Sequence, residues 1–377
     1  MARWLPICLF VALALLPVTA SAHKPSDSYL SLNVTDERIE GQWDIALRDL
    51  EFAIGLDGDG DGNISWSELQ ARHEAIATYA LARLRIRADA VDCAVAPGEQ
   101  LVDKHSDGAY AVLRFVVACE GPAEAIEIDY SLFFDLDPQH RGLLRLTDGD
   151  QTHTAIFAPG DGTKRFELGE TDVLRAGLEF LVNGIWHIWI GFDHVLFLLA
   201  LLLPAVFFRR AKSWEPVGDF RSAFVQVLKI VTAFTVAHSV TLTLAALGTI
   251  DLPTRLVESV IAASVVIAAL NNIFPVVTRR LWMVAFVFGL FHGLGFASVL
   301  VDLGLPQGAL VLALLGFNVG VEIGQIAIVA VFLPIAYLLR EWRFYPRGGL
   351  QLGSALVVAV ASVWFIERAL NVALPVL

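Results

Sequence analysis

Sulfur is scarce in this sequence: three cysteines and two methionines among 377 residues. No C-x-x-C pair occurs, which removes dithiol redox chemistry and a cysteine-based zinc framework. The lack of a methionine cluster and of a cysteine inside the apolar runs of the mature chain speaks against a soft Cu(I) pathway. A P-loop is missing, so direct drive by ATP is not indicated. Charge is also thin, at 18% of residues, and acidic side chains outnumber basic ones 39 to 27 for a net charge of -12. That balance speaks against nucleic acid or anionic lipid as a partner and suits cations.

What the chain has in abundance is apolar side chains, 56% of the total with a mean hydropathy of +0.62. These values are too apolar for a soluble protein and too diluted for a bundle with no aqueous part. Of the 39 acidic residues 29 precede residue 173, whereas the long apolar runs of the mature chain follow it. The expected fold class is therefore a multi-domain membrane protein: a β-rich, sandwich-like soluble domain over residues 23–172, then an all-α transmembrane bundle over 173–377. Residues 1–22 read as a signal peptide, with Arg3 ahead of the apolar stretch Leu5 to Val18 and a small-residue cleavage site at Ala20-Ser21-Ala22. Cleavage there makes His23 the mature N-terminus, whose amine and imidazole offer a copper(II) chelate. Cys8 leaves with that peptide, and Cys93 and Cys119 are expected to pair as a structural disulfide in an oxidising compartment.

Alternating patterns at Tyr29 to Val34 and Ile39 to Leu47 predict a hairpin, and further strands are expected at Leu84 to Val91, Ala109 to Ala118, Ala125 to Phe134, Gly142 to Leu146 and His153 to Ala158. Inserted between them, residues 48–83 read as two helices, about Arg48 to Gly55 and Ser65 to Arg83, around the segment Asp57 to Glu68. Its spacing is that of an EF-hand calcium loop. Asp57, Asp59 and Asp61 stand at positions 1, 3 and 5, Gly62 at the sharp turn, Asn63 at 7, Ser65 at 9 and Glu68 as the bidentate closing ligand at 12. A lone loop of extracellular type binds calcium weakly, on the order of 0.1 to 1 mM, and acts structurally.

Beyond Gly169 six spans are expected: Phe180 to Pro204, Ala223 to Leu247, Leu256 to Val276, Leu281 to Val301, Leu310 to Leu339 and Leu352 to Ala373, each long enough for a hydrocarbon core of about 30 Å. Basic residues gather in the loops after the first, third and fifth spans (Arg209, Arg210, Lys212, Arg221; Arg279, Arg280; Arg340, Arg343, Arg347). Those after the second and fourth hold only Arg255. By the positive-inside rule the N-terminal domain and the C-terminus lie outside, the periplasmic side of a bacterial inner membrane. The signal peptide predicts the same orientation.

Polar groups inside apolar spans are costly and mark function. The first span carries His187, Asp193 and His194 in the run Gly184 to His194. In an ideal helix the two histidines share a face but sit about 10 Å apart along the axis, too far for one ion at a bond length of about 2.1 Å. Either His187 is an outer access position or the helix breaks at Gly191. His238 lies mid-span in the second helix, and His292 in the fourth, where Gly289, Gly293 and Gly295 permit close helix approach. On the fifth, Asn318, Glu322 and Gln325 share one face, while Glu258 stands near the outer end of the third, placed to funnel cations. Imidazole with carboxylate suits Ni(II), Co(II), Zn(II) or Fe(II).

The H-x5-D-H run His187 to His194, followed by Val195-Leu196-Phe197, together with the His238, His292 and Glu322 segments, resembles the HupE/UreJ membrane proteins, accessory to hydrogenase and urease, over about residues 175–377. It is also similar to the H-x4-D-H helix of nickel/cobalt permeases, with one extra residue. The resemblance implies uptake of nickel, or of cobalt, with His187, Asp193, His194, His238 and Glu322 at the matching positions, in a long form that adds the extracytoplasmic domain. Three classes of function stay open on the residues themselves: a secondary metal transporter, an intramembrane zinc-dependent hydrolase with Ser239 as helper, and a calcium-stabilised receptor or scaffold.

Overall fold

The computed structural model describes residues 27–370 except 36–37, 106–107, 150, 170–172, 211–212, 251, 297–306 and 343. The expected signal peptide, its cleavage site, His23, the hairpin turn residues Asp36 and Glu37 and the last residues of the fourth and sixth spans lie outside the described residues.

The N-terminal region is β-rich. A six-stranded sheet runs β5-β6-β2-β1-β8-β9, built from β1 (Asp27–Val34), β2 (Ile39–Ala46), β5 (Ala94–His105), β6 (Gly108–Ala118), β8 (Arg141–Asp148) and β9 (Gln151–Phe157). All neighbours are antiparallel except β1 with β8. A smaller sheet runs β10-β7-β3-β4, from β3 (Leu84–Ala88), β4 (Val91–Asp92), β7 (Ala125–Tyr130) and β10 (Lys164–Glu167).

Strand alternation assigns the faces. Leu30, Leu32, Trp43, Ile45, Leu113 and Phe115 point into the core shared with Ile86, Ile126 and Ile128 of the small sheet. Their neighbours Tyr29, Ala46 and Tyr110 point the other way and pack with Phe180, Leu310, Leu314 and Phe317 of the helical region. One sheet thus carries the domain core on one face and the bundle on the other. A buried polar group in that core is fully engaged: Ser28 Oγ lies 2.5 Å from Tyr130 Oη, which lies 2.8 Å from His140 Nε2, and Trp43 Nε1 donates to Ser28 Oγ at 3.3 Å. Burial foremost, then Arg141 and Arg48, holds the His140 imidazole down at a pKa of about 3.

The expected strand Leu84 to Val91 turns at Asp89 and Ala90, both at positive φ, into β3 and β4, and in this region β5 and β10 were not legible from pattern. β5, the longest, is an edge strand whose register shifts between Pro97 and Gln100, and it shows mostly exposed side chains, so it lacks the alternation that marks a strand. The four residues of β10 are too few to carry a period. The Cys93–Cys119 disulfide is present, joining the residue before β5 to the one after β6. The expected single helix Ser65 to Arg83 is instead two, α2 (Trp66–Ala71) and α3 (His73–Leu81), after α1 (Leu47–Ile54).

Downstream come α4 (Val173–Ile190), α5 (Phe192–Leu202), a short hairpin of β11 (Phe207–Arg210) and β12 (Ser213–Pro216), then α6 (Phe220–Ala246), α7 (Thr254–Ile273), α8 (Leu281–His292), α9 (Gln307–Leu339), a π-helical stretch Tyr345–Leu352 and α10 (Gly353–Leu370). Six unbroken spans are not what the described residues contain. Four stretches are long and apolar enough to cross a membrane: Phe220–Ala246, Thr254–Ile273, Leu310–Leu339 and Gly348–Leu370. A fifth arises only if α4 and α5 count together, and they are bent by 69°. α8 spans 12 residues, short of the bilayer core on its own.

Candidate functional site

The acidic loop lies between α1 and α2. Gly60 and Gly62 N–H donate to the two Asp57 carboxylate oxygens at 2.7 and 2.9 Å, Asp61 N–H to Asp59 at 3.1 Å and Asn63 N–H to Asp61 at 2.7 Å. Carboxylate oxygens of Asp57, Asp59 and Asp61 lie within 4.8 Å of one another. Gly62 takes φ +82°, a left-handed conformation that glycine adopts without strain. Ser65 caps α2, its hydroxyl accepting from Glu68 N–H while the Glu68 carboxylate accepts from Ser65 N–H, a reciprocal capping box. Gly58 N–H also donates to Glu68, at 2.7 Å across the loop. Ser65, by backbone and then side chain, and Gly58 hold the Glu68 carboxyl at a pKa of about 2. The Glu68 carboxylate is thus tied to the loop's own amides at Gly58 and Ser65.

The second cluster is assembled by the helix break. Gly191, extended at ψ 94°, ends α4 and opens α5; its N–H still donates to the His187 carbonyl at 3.0 Å, and Val195 N–H to its own carbonyl at 3.0 Å. A Cβ here would lie 2.7 Å from the His187 carbonyl oxygen and 2.9 Å from His194 Nδ1, so only glycine fits. The bend folds the His187 and His194 rings to a centroid distance of 4.6 Å. His238 from α6 joins them at 6.4 Å from His187. One ring nitrogen from each of the three lies within 4.8 Å of the others, and Nε2 of each is buried without a hydrogen-bond partner.

The opposite nitrogens of His194 and His238 are engaged. Asp193 Oδ1 lies 3.0 Å from His194 Nδ1 and also accepts from the His194 N–H at 2.9 Å; Asn318 Oδ1 lies 3.3 Å from His238 Nδ1. Such bonds fix ring orientation and tautomer, as they do behind metal-bound histidines. Three imidazole nitrogens so placed could hold a borderline divalent cation.

Other expected site residues fall elsewhere. His292 adjoins His194 at 5.1 Å between rings, with Nε2 2.9 Å from Ser264 Oγ and Nδ1 unpartnered. Glu322 accepts from Thr232 at 2.8 Å and Gln325 from Thr235 at 3.0 Å, both at the α6–α9 seam. A cavity of about 10 Å³, space for one water-sized sphere, separates His194 from Gln325 among Leu198, Ile230 and Phe234. Glu258 is half-buried near the start of α7. The Ser239 hydroxyl turns back to the Thr235 carbonyl at 2.7 Å, spent on its own helix.

Sequence reasoning passed over the devices that hold the cluster. A Cβ on Gly184 or Gly320 would run into the Phe317 or Leu181 carbonyl, so α4 and α9 touch backbone to backbone; the spacing Gly316-x3-Gly320-x3-Gly324 is the signal that could have revealed this. Gly289 and Gly293, which the sequence did mark as sites of close helix approach, do the same against α6, at the Phe234 and His238 carbonyls. Phe296 and Phe317 stack at 4.3 Å and cover His187 from 5.0 and 5.2 Å; no pattern in the sequence pairs them.

No curated protein matches the chain. The family of HupE / UreJ proteins matches over residues 165–368, more than half of the sequence and the whole of the helix-break cluster. This chain, a membrane protein, belongs to the HupE/UreJ family.

Proposed function

We propose that the protein carries a divalent transition-metal ion across the membrane, nickel first and cobalt next, with His187, His194 and His238 as its intramembrane ligands. The observation that carries this reading is that three imidazoles inside apolar helices each bring a ring nitrogen within 4.8 Å of the others while each keeps a buried Nε2 without a hydrogen-bond partner. An unsatisfied polar atom in hydrocarbon costs on the order of 1 to 3 kcal/mol, and several kept side by side are explained by a ligand that satisfies them together. Asp193 and Asn318 act behind His194 and His238, setting which nitrogen presents its lone pair. His292 is the next imidazole the ion meets, and Glu322 with Gln325 lies further along the α6–α9 seam. Family membership supports nickel or cobalt over zinc or iron, because the resemblance that implies those metals covers the same helices.

In this reading the basic loops face the cytoplasm of a bacterial inner membrane, the β-rich domain lies outside, and the Asp57 to Glu68 loop is an EF-hand holding calcium that stabilises the outer domain. Radiolabelled nickel uptake by cells expressing wild type, His194→Ala or His238→Ala tests transport. Loss of uptake in both variants at equal membrane abundance is expected; wild-type uptake in both overturns the proposal.

A further inference from the structure

A third set of ligating groups belongs to neither site. Asp44 of β2 and Asp103 and His105 of β5 each place one ligand atom within 4.8 Å of the others. Asp103 and His105 are two apart on one strand and so project to one face. Asp44, on the strand beyond β6, projects to the same face, because it stands opposite Tyr29 and Val112 and shares its side with Ala46. This is the face that packs on the bundle. His105 stacks on Tyr29 at 4.8 Å between rings and meets Tyr110 at 4.2 Å. Both tyrosines belong to the cluster that continues through Leu310 and Leu314 to Phe317, whose ring stands 5.2 Å from His187.

The three groups form a graded donor set. Asp44 and His105 side chains are 9% and 10% exposed and in contact, His105 Nε2 to Asp44 Oδ2 at 3.1 Å, while Asp103 is exposed at the rim. Gln42 Nε2 donates to the other Asp44 oxygen at 2.9 Å and orients that carboxylate. A simple structural pair would need Asp44 and His105 alone. The second carboxylate, drawn to the same point, adds negative charge that the pair does not require, and one imidazole with two carboxylates is a donor set suited to a divalent first-row ion.

We propose that Asp44, Asp103 and His105 form a second binding site for a divalent transition-metal ion, at the seam between the β-rich domain and the helices. The binding site stands on its own residues. Its role, to collect the ion at the outer face before the imidazole trio receives it, rests on the transport reading above.

Nickel titration of the purified full-length chain in detergent, by calorimetry with calcium saturating, separates the two. Wild type is expected to take up two equivalents. Asp103→Asn, at an exposed position where folding is not at stake, and His105→Gln should each lose one equivalent or weaken it at least about tenfold, and His194→Ala should lose only the other. Full wild-type binding in both Asp103→Asn and His105→Gln overturns the site. Loss in His105→Gln with full retention in Asp103→Asn overturns it too, since it reduces the set to the Asp44–His105 pair. If His194→Ala keeps both equivalents while Asp103→Asn loses one, this site stands and the transport reading fails alone.

Discussion

The protein buries imidazoles in two places and treats them in opposite ways. In the β-rich domain His140 hangs on a closed chain of hydrogen bonds, Tyr130 and Ser28 answering its Nε2. Between the helices His187, His194 and His238 each bring one ring nitrogen within 4.8 Å of the others, and each keeps a buried Nε2 without a hydrogen-bond partner. A buried polar group that finds its partner within the protein contributes to the fold. Several that converge without partners contribute to binding. Lone orphans do not qualify: His153 Nε2 is unpartnered too, but it faces the Phe166 ring and joins no set of ligating groups among the described residues.

The largest effect that would sharpen this contrast is acid sensitivity at His140. Its folded pKa of about 3 lies below the ordinary value near 6.5, chiefly because of burial. The unfolded chain therefore binds the extra proton between those limits. Stability from this group is complete above about pH 6.5 and is lost as pH falls toward 3, by up to roughly 5 kcal/mol at 1.36 kcal/mol per unit. Hydrogen exchange at β1 and β8, followed from pH 7 to 4, should show protection falling with that slope. A flat profile would mean that His140 is not held neutral.

Next in size is the Cys93–Cys119 bond, which closes a loop of sequence separation 26. The chain-entropy estimate for such a loop is roughly 3.5 kcal/mol. Reduction, or Cys93→Ser with Cys119→Ser, should lower the urea midpoint of the β-rich domain accordingly while nickel binding by the trio persists. Parallel loss of both would show that the trio depends on the outer domain for its geometry.

Calcium gives a smaller break between regions. Removing one charged ligand in Glu68→Gln should weaken calcium at least tenfold, about 1.4 kcal/mol, and leave nickel uptake in place; calorimetry reads the first, tracer uptake the second. The turn of this loop was legible in the sequence because Asp57 to Glu68 are twelve consecutive residues whose own amides close it. The imidazole trio was legible only in its membership. Its members are up to 51 positions apart, and whether His187 joins His194 depends on Gly191 ending a helix, in a segment whose α4 packs on α9 through Gly184 and Gly320. Hydropathy reads length and composition along one helix, and it is blind to a bend within it. Strand β5 escaped for the related reason that an edge strand with a bulge has no alternation to read.

Asp193 offers the finest test, because the sequence casts it as a ligand and the geometry casts it as the support of one. Its Oδ1 is engaged twice by His194, through Nδ1 and through the backbone N–H, which points its charge at the back of the ring. A carboxylate so placed raises the basicity of the imidazole it supports, and its loss typically costs 10- to 100-fold in metal affinity. Asp193→Asn keeps the shape and an oxygen acceptor but removes the charge, so nickel affinity should fall within that range and the number of bound ions should not change. Were Asp193 itself on the metal, the same variant would alter the ligand set. X-ray absorption of the nickel-loaded chain would then lose an oxygen scatterer, where a supporting role leaves the nitrogen-rich shell as it was.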